Sequence, residues 1–358
     1  MTLLPSEAEA LFRERAKQKI MVFDGGYGTS IQKYGLTEAD YRGDLDLEKD
    51  QKGNNDLLCL TRPDVVKAIH TAYLDAGADM IETNTFSGTR IAMADYGCEH
   101  LVRELNIAAA KLAREACDEA QAKDGVRRFV AGSIGPTNKT LSISPQVNDP
   151  AFREIDFDTL KAQYREQCDA LIEGGVDFLL VETCFDTLNA KAAGMAAREA
   201  ETAAGRVVPL MLSFTITDMS GRNLSGHTIV AFWYSLRHLK PLTIGVNCAF
   251  GADKLRPYLA ELSKVADALI LAYPNAGLPN ELGQYDELPE KTAELIRVWT
   301  QEGLVNMVGG CCGTTPAHIA AIAKALVGAP PRKIPDLPVV TRLAGLEPMH
   351  IAASGRNR

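Results

Sequence analysis

Three cysteines carry the sharpest chemical signal in this 358-residue sequence. Cys248 ends the apolar run TIGVNC (243–248), and Cys311 and Cys312 end the run VNMVGGCC (305–312). Neighbours on a regular strand point to opposite faces, so a Cys-Cys pair can share one ligand only where the chain leaves strand geometry. Gly309-Gly310 before the pair and Gly313 after it supply that freedom. A third sulfur from Cys248 would complete three corners of a tetrahedron. Thiolates favour Zn²⁺ over Mg²⁺ or Ca²⁺. Asn275, in the turn PNAG, falls between the two cysteine-bearing strands and is a candidate for the fourth corner when no substrate is present, or an ordinary turn residue. Cys184 or Cys59 would instead close a structural four-sulfur site, and three cysteines filling gaps beside glycines is the plain alternative.

Three thiolates and Zn²⁺ sum to a charge of about −1, a poor Lewis acid for a carbonyl. Such a centre suits holding a substrate thiol as a thiolate that still attacks. A free alkyl thiol, with a pKa near ~8.5, is only a few per cent ionised at pH 7. Making the ionised form dominant is worth about 2 kcal/mol, and the rest of the barrier must fall through positioning of the donor. The chemistry is alkylation of a thiol. Carboxylates extend the pattern. Asp24, followed by Gly25 and Gly26, and Glu182, followed by Thr183, each stand where an apolar run ends and could accept from an ammonium group, with Glu82 a third candidate. Capping or loop-ordering is their ordinary role. The GG-x-G stretch lacks the spacing of a dinucleotide fingerprint, so its glycines fit close approach of a small zwitterion. No HExxH and no serine-hydrolase elbow occurs.

The elements that must position these residues alternate regularly. Strand-like runs fall near 20–24, 79–83, 128–133, 177–182, 208–214, 243–248, 268–273 and 305–311, with helical periodicity near 63–76, 99–122, 157–174, 187–202, 228–239, 253–264, 287–301 and 315–327. Eight strand–helix pairs predict a (β/α)8 TIM barrel over residues 1–328, whose chemistry sits at the C-terminal strand ends. Every candidate above except Cys59, which lies in the long loop after the first strand, falls at or just beyond such an end. Residues 30–60 form a long charged excursion after the first strand, expected to be partly ordered over the barrel mouth. Residues 329–358 read as a Pro-rich tail or linker. With 38 basic against 46 acidic residues and no basic stripe, a nucleic-acid partner is not expected. No apolar run is long enough for a membrane span, and the first residues lack signal-peptide order, so the expected location is cytoplasmic, with reduced cysteines.

The same residues carry a resemblance. VFDGGYGTSIQ (22–32), KGNNDLLCLTRPDVV (52–66), AGADMIETNTFSGT (76–89), GSIGPT (132–137), VETCFDT (181–187), GVNCAFG (245–251), YPNAG (273–277) and GGCCGTTPAHI (309–319) resemble the zinc-containing homocysteine S-methyltransferase family. Within it, DGGYGTSIQ, Arg42-Gly43 and KGNNDLL are most similar to the N-terminal module of cobalamin-dependent methionine synthases. The resemblance implies Cys248, Cys311 and Cys312 as zinc ligands and Asn275 as the residue that yields its corner to homocysteine. It implies Asp24, Gly25, Gly26, Glu182 and Thr183 as the pocket for the amino-acid end, with Glu182 on the ammonium. It also implies methylcobalamin as donor. The DxHxxG signature of a cobalamin-binding module occurs nowhere, so the cofactor is expected on a partner carrying cobalamin- and folate-binding methionine synthase domains. The chain is then one subunit of a split enzyme or an expressed fragment, with RLAGLEPMHIAA (342–353) resembling the bridge into a folate domain. Betaine or S-methylmethionine is the alternative donor.

Overall fold

The computed structural model describes residues 6–351; the outermost part of the expected bridge, from residue 352 on, lies outside the described residues. Eight parallel strands, β1 (Met21–Val22), β2 (Met80–Glu82), β3 (Phe129–Ile134), β4 (Phe178–Cys184), β5 (Leu210–Phe214), β6 (Thr243–Asn247), β7 (Leu269–Tyr273) and β8 (Met307–Val308), form one sheet in the order β1-β8-β7-β6-β5-β4-β3-β2. The seam between β1 and β2 is bridged by the pair Phe23–Met80 and by the Asp79 N–H donating to the Val22 carbonyl at 2.8 Å. This is the expected TIM barrel.

Helices follow the strands. The described chain begins with α1 (Glu7–Gln18), and short helices α2 (Tyr27–Gln32), α3 (Glu38–Arg42) and α4 (Leu58–Thr61) order the excursion after β1. The barrel helices are α5 (Pro63–Asp75), α7 (Val102–Asp124), α8 (Phe157–Gly174), α9 (Thr187–Ala204), α10 (Ile229–Leu236), α11 (Ala252–Val265), α12 (Pro289–Gln301) and α13 (Pro316–Leu326), with the single turn α6 (Arg90–Met93) before α7. Pro63 opens α5, where its missing N–H costs nothing. The AGAD and GGVD signals end α5 and α8 on left-handed glycines, Gly77 (φ +104°) and Gly175 (φ +100°). Among the described residues no helix is long and apolar enough to cross a membrane.

Apolar side chains fill the barrel: Met21, Met80, Phe129, Phe178, Met211 and Met307 are all buried. Helix α1 was not legible beforehand, because its buried stripe is only Ala8, Phe12 and Ala16. It is capped by Ser6 and plugs the N-terminal end, with the Phe12 ring 5.6 Å from Phe129 and 5.4 Å from Phe178. After α13 the chain runs back beneath the barrel. Arg332, 4% exposed, donates to the carbonyls of Ser263, Ala266 and Ala268 at the end of α11. A short antiparallel hairpin, β9 (Thr341–Ala344) and β10 (Pro348–Ile351), then packs on α10.

Candidate metal and substrate site

The cysteine-bearing strand ends are built to leave regular geometry. Cys248 follows β6 at φ +59° and Ala249 at φ +63°, left-handed positions that side chains avoid unless their surroundings enforce them. Asn247 does the enforcing. Its Oδ1 accepts from the Thr183 N–H (3.1 Å) and the Ser213 hydroxyl (2.6 Å), and its Nδ2 donates to the Thr183 hydroxyl (2.8 Å). Three strand ends are tied through one buried amide, and Thr183 is itself held at φ +54°. Beyond β8, Cys311 to Thr314 form a turn closed by the Thr314 N–H on the Cys311 carbonyl at 3.1 Å, with Gly313 at φ +79°. The turn docks on β7 through the Cys311 N–H to Pro274 (2.7 Å) and the Ala276 N–H to the Cys312 carbonyl (2.9 Å). It also presses against the first loop: a Cβ on Gly26 would lie 2.6 Å from the Cys311 carbonyl oxygen.

The result is a triangle of sulfurs. Cys248 Sγ stands 3.8 Å and Cys311 Sγ 3.9 Å from Cys312 Sγ, and all three lie within 4.8 Å of one another. A Zn–S bond of ~2.3 Å sets sulfurs about 3.8 Å apart on a tetrahedron, so the donor set fits one metal ion. Hydrogen bonds with Cys248 and Cys311 pull the Cys312 thiol down to about 3. Hydrogen bonds with Cys248 and Cys312, together with burial, push Cys311 well up. A metal ion would displace the protons that remain. Cys184 is turned away, its sulfur on the Val181 carbonyl (3.7 Å), and Cys59 faces the Asn84 carbonyl (3.5 Å). A fourth cysteine ligand is therefore excluded.

One cavity of about 370 Å³ contains the three cysteines, Glu182, Thr183, Gly25 and Gly26, and also Glu82 and Tyr273. Residues Gly53 to Asp56 supply part of its outer wall, so the charged excursion does reach the barrel mouth. Asn275, in the turn after β7, is 3% exposed, and its buried Oδ1 has no hydrogen-bond partner. Its chain neighbours Pro274 and Ala276 bond through the backbone to Cys311 and Cys312, while the cavity lining itself does not include Asn275.

Asp24 lies just behind the wall. Its Oδ2 accepts from the Tyr27 hydroxyl (3.0 Å) and the Glu82 N–H (2.8 Å), while Oδ1 is buried and unpartnered. Glu182 accepts from the hydroxyls of Ser133 and Tyr273, the latter at 3.1 Å, and is hydrogen-bonded to Glu82, whose Oε2 is also orphaned. Burial pushes all three carboxyls up, against the lowering effect of those hydrogen bonds on Asp24 and Glu182. Among the described residues no Lys or Arg forms an ion pair with any of these three acids. Buried carboxyls without a cation are costly to ionise. Tyr273 falls at an expected strand end but without an expected role, and sequence reasoning missed Asn247, Ser133 and Tyr285. The last reaches Cys312 from the loop before α12. Only the motifs GVNC, GSIGPT and YPNAG hinted at the first three.

Comparison with known proteins agrees with this geometry. Residues 21–326 match the family model of homocysteine S-methyltransferases. The metallated form of the homocysteine methyltransferase MmuM from Escherichia coli superposes with a TM-score of 0.68 at 24% identity, covering 87% of this chain and 98% of that one. Its oxidised form gives a TM-score of 0.68 at 23% identity, over 86% and 96%. At such identities the likeness is one of fold.

Proposed function

Because the chain belongs to the homocysteine S-methyltransferase family, we propose that it methylates the sulfur of homocysteine with methylcobalamin held on a separate protein or domain, yielding methionine. The observation that carries this reading is the sulfur triangle at zinc spacing, opening into a cavity that the carboxyls of Glu82 and Glu182 also line, with Asp24 just behind. Zinc bound by Cys248, Cys311 and Cys312 supplies the stabilisation that makes a substrate thiolate abundant at neutral pH. The chain's own residues do the rest. Glu182, with Glu82 and Asp24, receives the ammonium, and the paired Tyr273 and Ser133 hydroxyls hold Glu182 in place. Gly25 and Gly26 admit the amino-acid end close to the backbone, and Thr183 is fixed beside it by Asn247. Asn275 keeps an uncommitted oxygen for the fourth position until the substrate sulfur arrives.

The proposed donor is supported by the motifs DGGYGTSIQ and KGNNDLL and by the rim of the mouth. Met219 and Leu224 on the β5–α10 loop, and Leu278, Leu282 and Leu288 on the β7–α12 loop, are 52–82% exposed. Apolar side chains exposed on two loops that follow barrel strands suit a docking protein better than free solvent. The partner in this reading carries the cobalamin- and folate-binding parts of methionine synthase, and residues 329–358 lead towards them from the 1–328 barrel. X-ray absorption at the zinc edge tests the first half: the shell changes from three sulfurs and one light atom to four sulfurs on adding homocysteine. Turnover assays offering methylcobalamin, betaine and S-methylmethionine separately test the second. Activity with a small donor alone replaces the corrinoid partner, and an unchanged metal shell removes the thiol chemistry altogether.

A further inference from the structure

Tyr27, which lines the cavity, and His70 behind it form a column beside the carboxylates that the chemistry above leaves without a task. His70 on α5 is fully buried, and its Nδ1 lies 2.5 Å from the Tyr27 hydroxyl oxygen. The Tyr27 hydroxyl donates to Asp24 Oδ2 at 3.0 Å. A phenol has a single proton, so with that proton committed to Asp24 the His70 contact requires Nδ1–H as donor. His70 Nε2 is then the bare nitrogen, and it is buried without a partner. Leaving that nitrogen unsatisfied costs stability that no packing need explains. The Tyr27 and His70 rings meet edge to face at 5.2 Å, and Tyr73, 5.7 Å from Tyr27, donates to the Gly26 carbonyl at 2.9 Å. Tyr27 therefore has no freedom to swing away.

The geometry points to Tyr27 and His70 as positioning residues for the ammonium end of the substrate, acting through Asp24. This rests on the homocysteine reading above. Through Asp24 the pair fixes two things: the Glu82 backbone, held by Oδ2, and a carboxylate oxygen behind Gly25, Oδ1, with no protein partner. His70 aims the phenol, the phenol aims the acid, and the acid sets both the position of Glu82 and the negative field an amine meets. The sulfurs lie beyond β6 and β8, and neither Tyr27 nor His70 hydrogen-bonds those segments; Tyr73 does reach the Cys311–Thr314 turn, through the Thr314 carbonyl at 3.3 Å, and is left unchanged in the variants below.

That separation supplies the test. The zinc-loaded chain is titrated calorimetrically with homocysteine and with 4-mercaptobutyrate, the same thiol without its ammonium. In Tyr27→Phe the dissociation constant for homocysteine rises about tenfold, the size of one hydrogen bond to a charged group, while that for 4-mercaptobutyrate and the zinc content stay unchanged. His70→Leu behaves the same way, and His70→Asn, which restores an N–H donor, recovers most of the loss. Equal weakening of both thiols, or of neither, overturns the proposal, as does a failure of His70→Asn to outperform His70→Leu. Wild-type protein that does not prefer homocysteine over 4-mercaptobutyrate overturns the ammonium pocket itself, whereas intact wild-type preference with indifferent variants overturns only the column.

Discussion

The two ends of this barrel treat buried charge in opposite ways. At the floor, Asp79 and Asp177 stand where strands begin, and each is met by cations and backbone. Asp79 takes Lys19 at 2.7 Å and the Val22 N–H at 2.9 Å. Asp177 takes Arg114 at 2.8 Å, Arg127 at 2.9 Å and the Val130 N–H at 2.9 Å. At the mouth, Asp24, Glu82 and Glu182 stand where strands end, the first and last buried and Glu82 half-buried, with hydroxyls and each other for company and, among the described residues, no ion-paired cation. Backbone strain divides the same way: Thr183, Cys248 and Ala249, three of the four non-glycine residues with positive φ, are at the mouth. An unsatisfied buried polar group costs about 1–3 kcal/mol. The floor removes such costs and stabilises the barrel; the mouth retains them, and in the proposed function bound zinc and a substrate carrying an ammonium and a sulfur would relieve them.

The largest effect expected from this contrast is at the sulfurs. Cys311→Ala removes one corner of the triangle, so zinc content falls to background and turnover drops by about 10³-fold or more, some 4 kcal/mol of barrier. The fold persists, because Cys311 sits on a loop beyond β8. Circular dichroism with metal analysis checks both halves; an active, zinc-free variant would break the mouth half of the comparison. Asp177→Ala should do the reverse. It strands two arginines and the Val130 N–H and lowers unfolding stability by about 3 kcal/mol, measurable by urea titration. Homocysteine affinity of the folded fraction is unchanged, and a loss of affinity without a loss of stability would contradict the division.

Asp56 gives the contrast a pH axis. It lines the cavity, accepts from the Ser87 N–H at 2.6 Å, and burial pushes its carboxyl up to about 7. The unfolded chain ionises it near ~3.9, so between those values the folded state holds more protons and stability falls as pH rises. Asp56→Asn keeps the acceptor and removes the titration. The variant should match wild type near pH 4 and exceed it by on the order of 4 kcal/mol at pH 8. The same difference at both pH values would show that Asp56 is not held protonated by burial.

Much of this was legible in the sequence. Strand ends could be named because each apolar run stops at a polar or glycine cluster, and those ends carried the cysteines, Asp24 and Glu182. Strand β8 was expected over 305–311 but ends at Val308, since the two glycines already turn the chain towards the Cys311–Thr314 turn. What stayed hidden has a common cause: its partners are far apart along the chain. Asn247 acts on Thr183 and Ser213, Tyr285 on Cys312, and His70 on Tyr27, and no local period or spacing announces any of these pairs. Helix α1 was missed for a different reason, because a stripe of two alanines and one phenylalanine is too weak a signal to read before the barrel floor is known.

Glu182→Gln has the smallest expected effect and divides the two ends most cleanly. With the site empty, burial already holds Glu182 towards its neutral form, so the amide resembles the acid it replaces. The carbonyl oxygen still accepts from Ser133 or Tyr273, and unfolding stability should move by less than about 1 kcal/mol. Binding behaves differently, because an ammonium favours the charged form and the amide cannot supply it. Homocysteine affinity should fall about 30-fold, or about 2 kcal/mol, with zinc retained. The corresponding floor substitution, Asp177→Asn, should cost stability and leave binding alone, since its partners are permanent cations. If Glu182→Gln instead lowered stability as Asp177→Asn does, the mouth carboxyls would be structural ions like those of the floor, and the ammonium pocket would lose its physical basis.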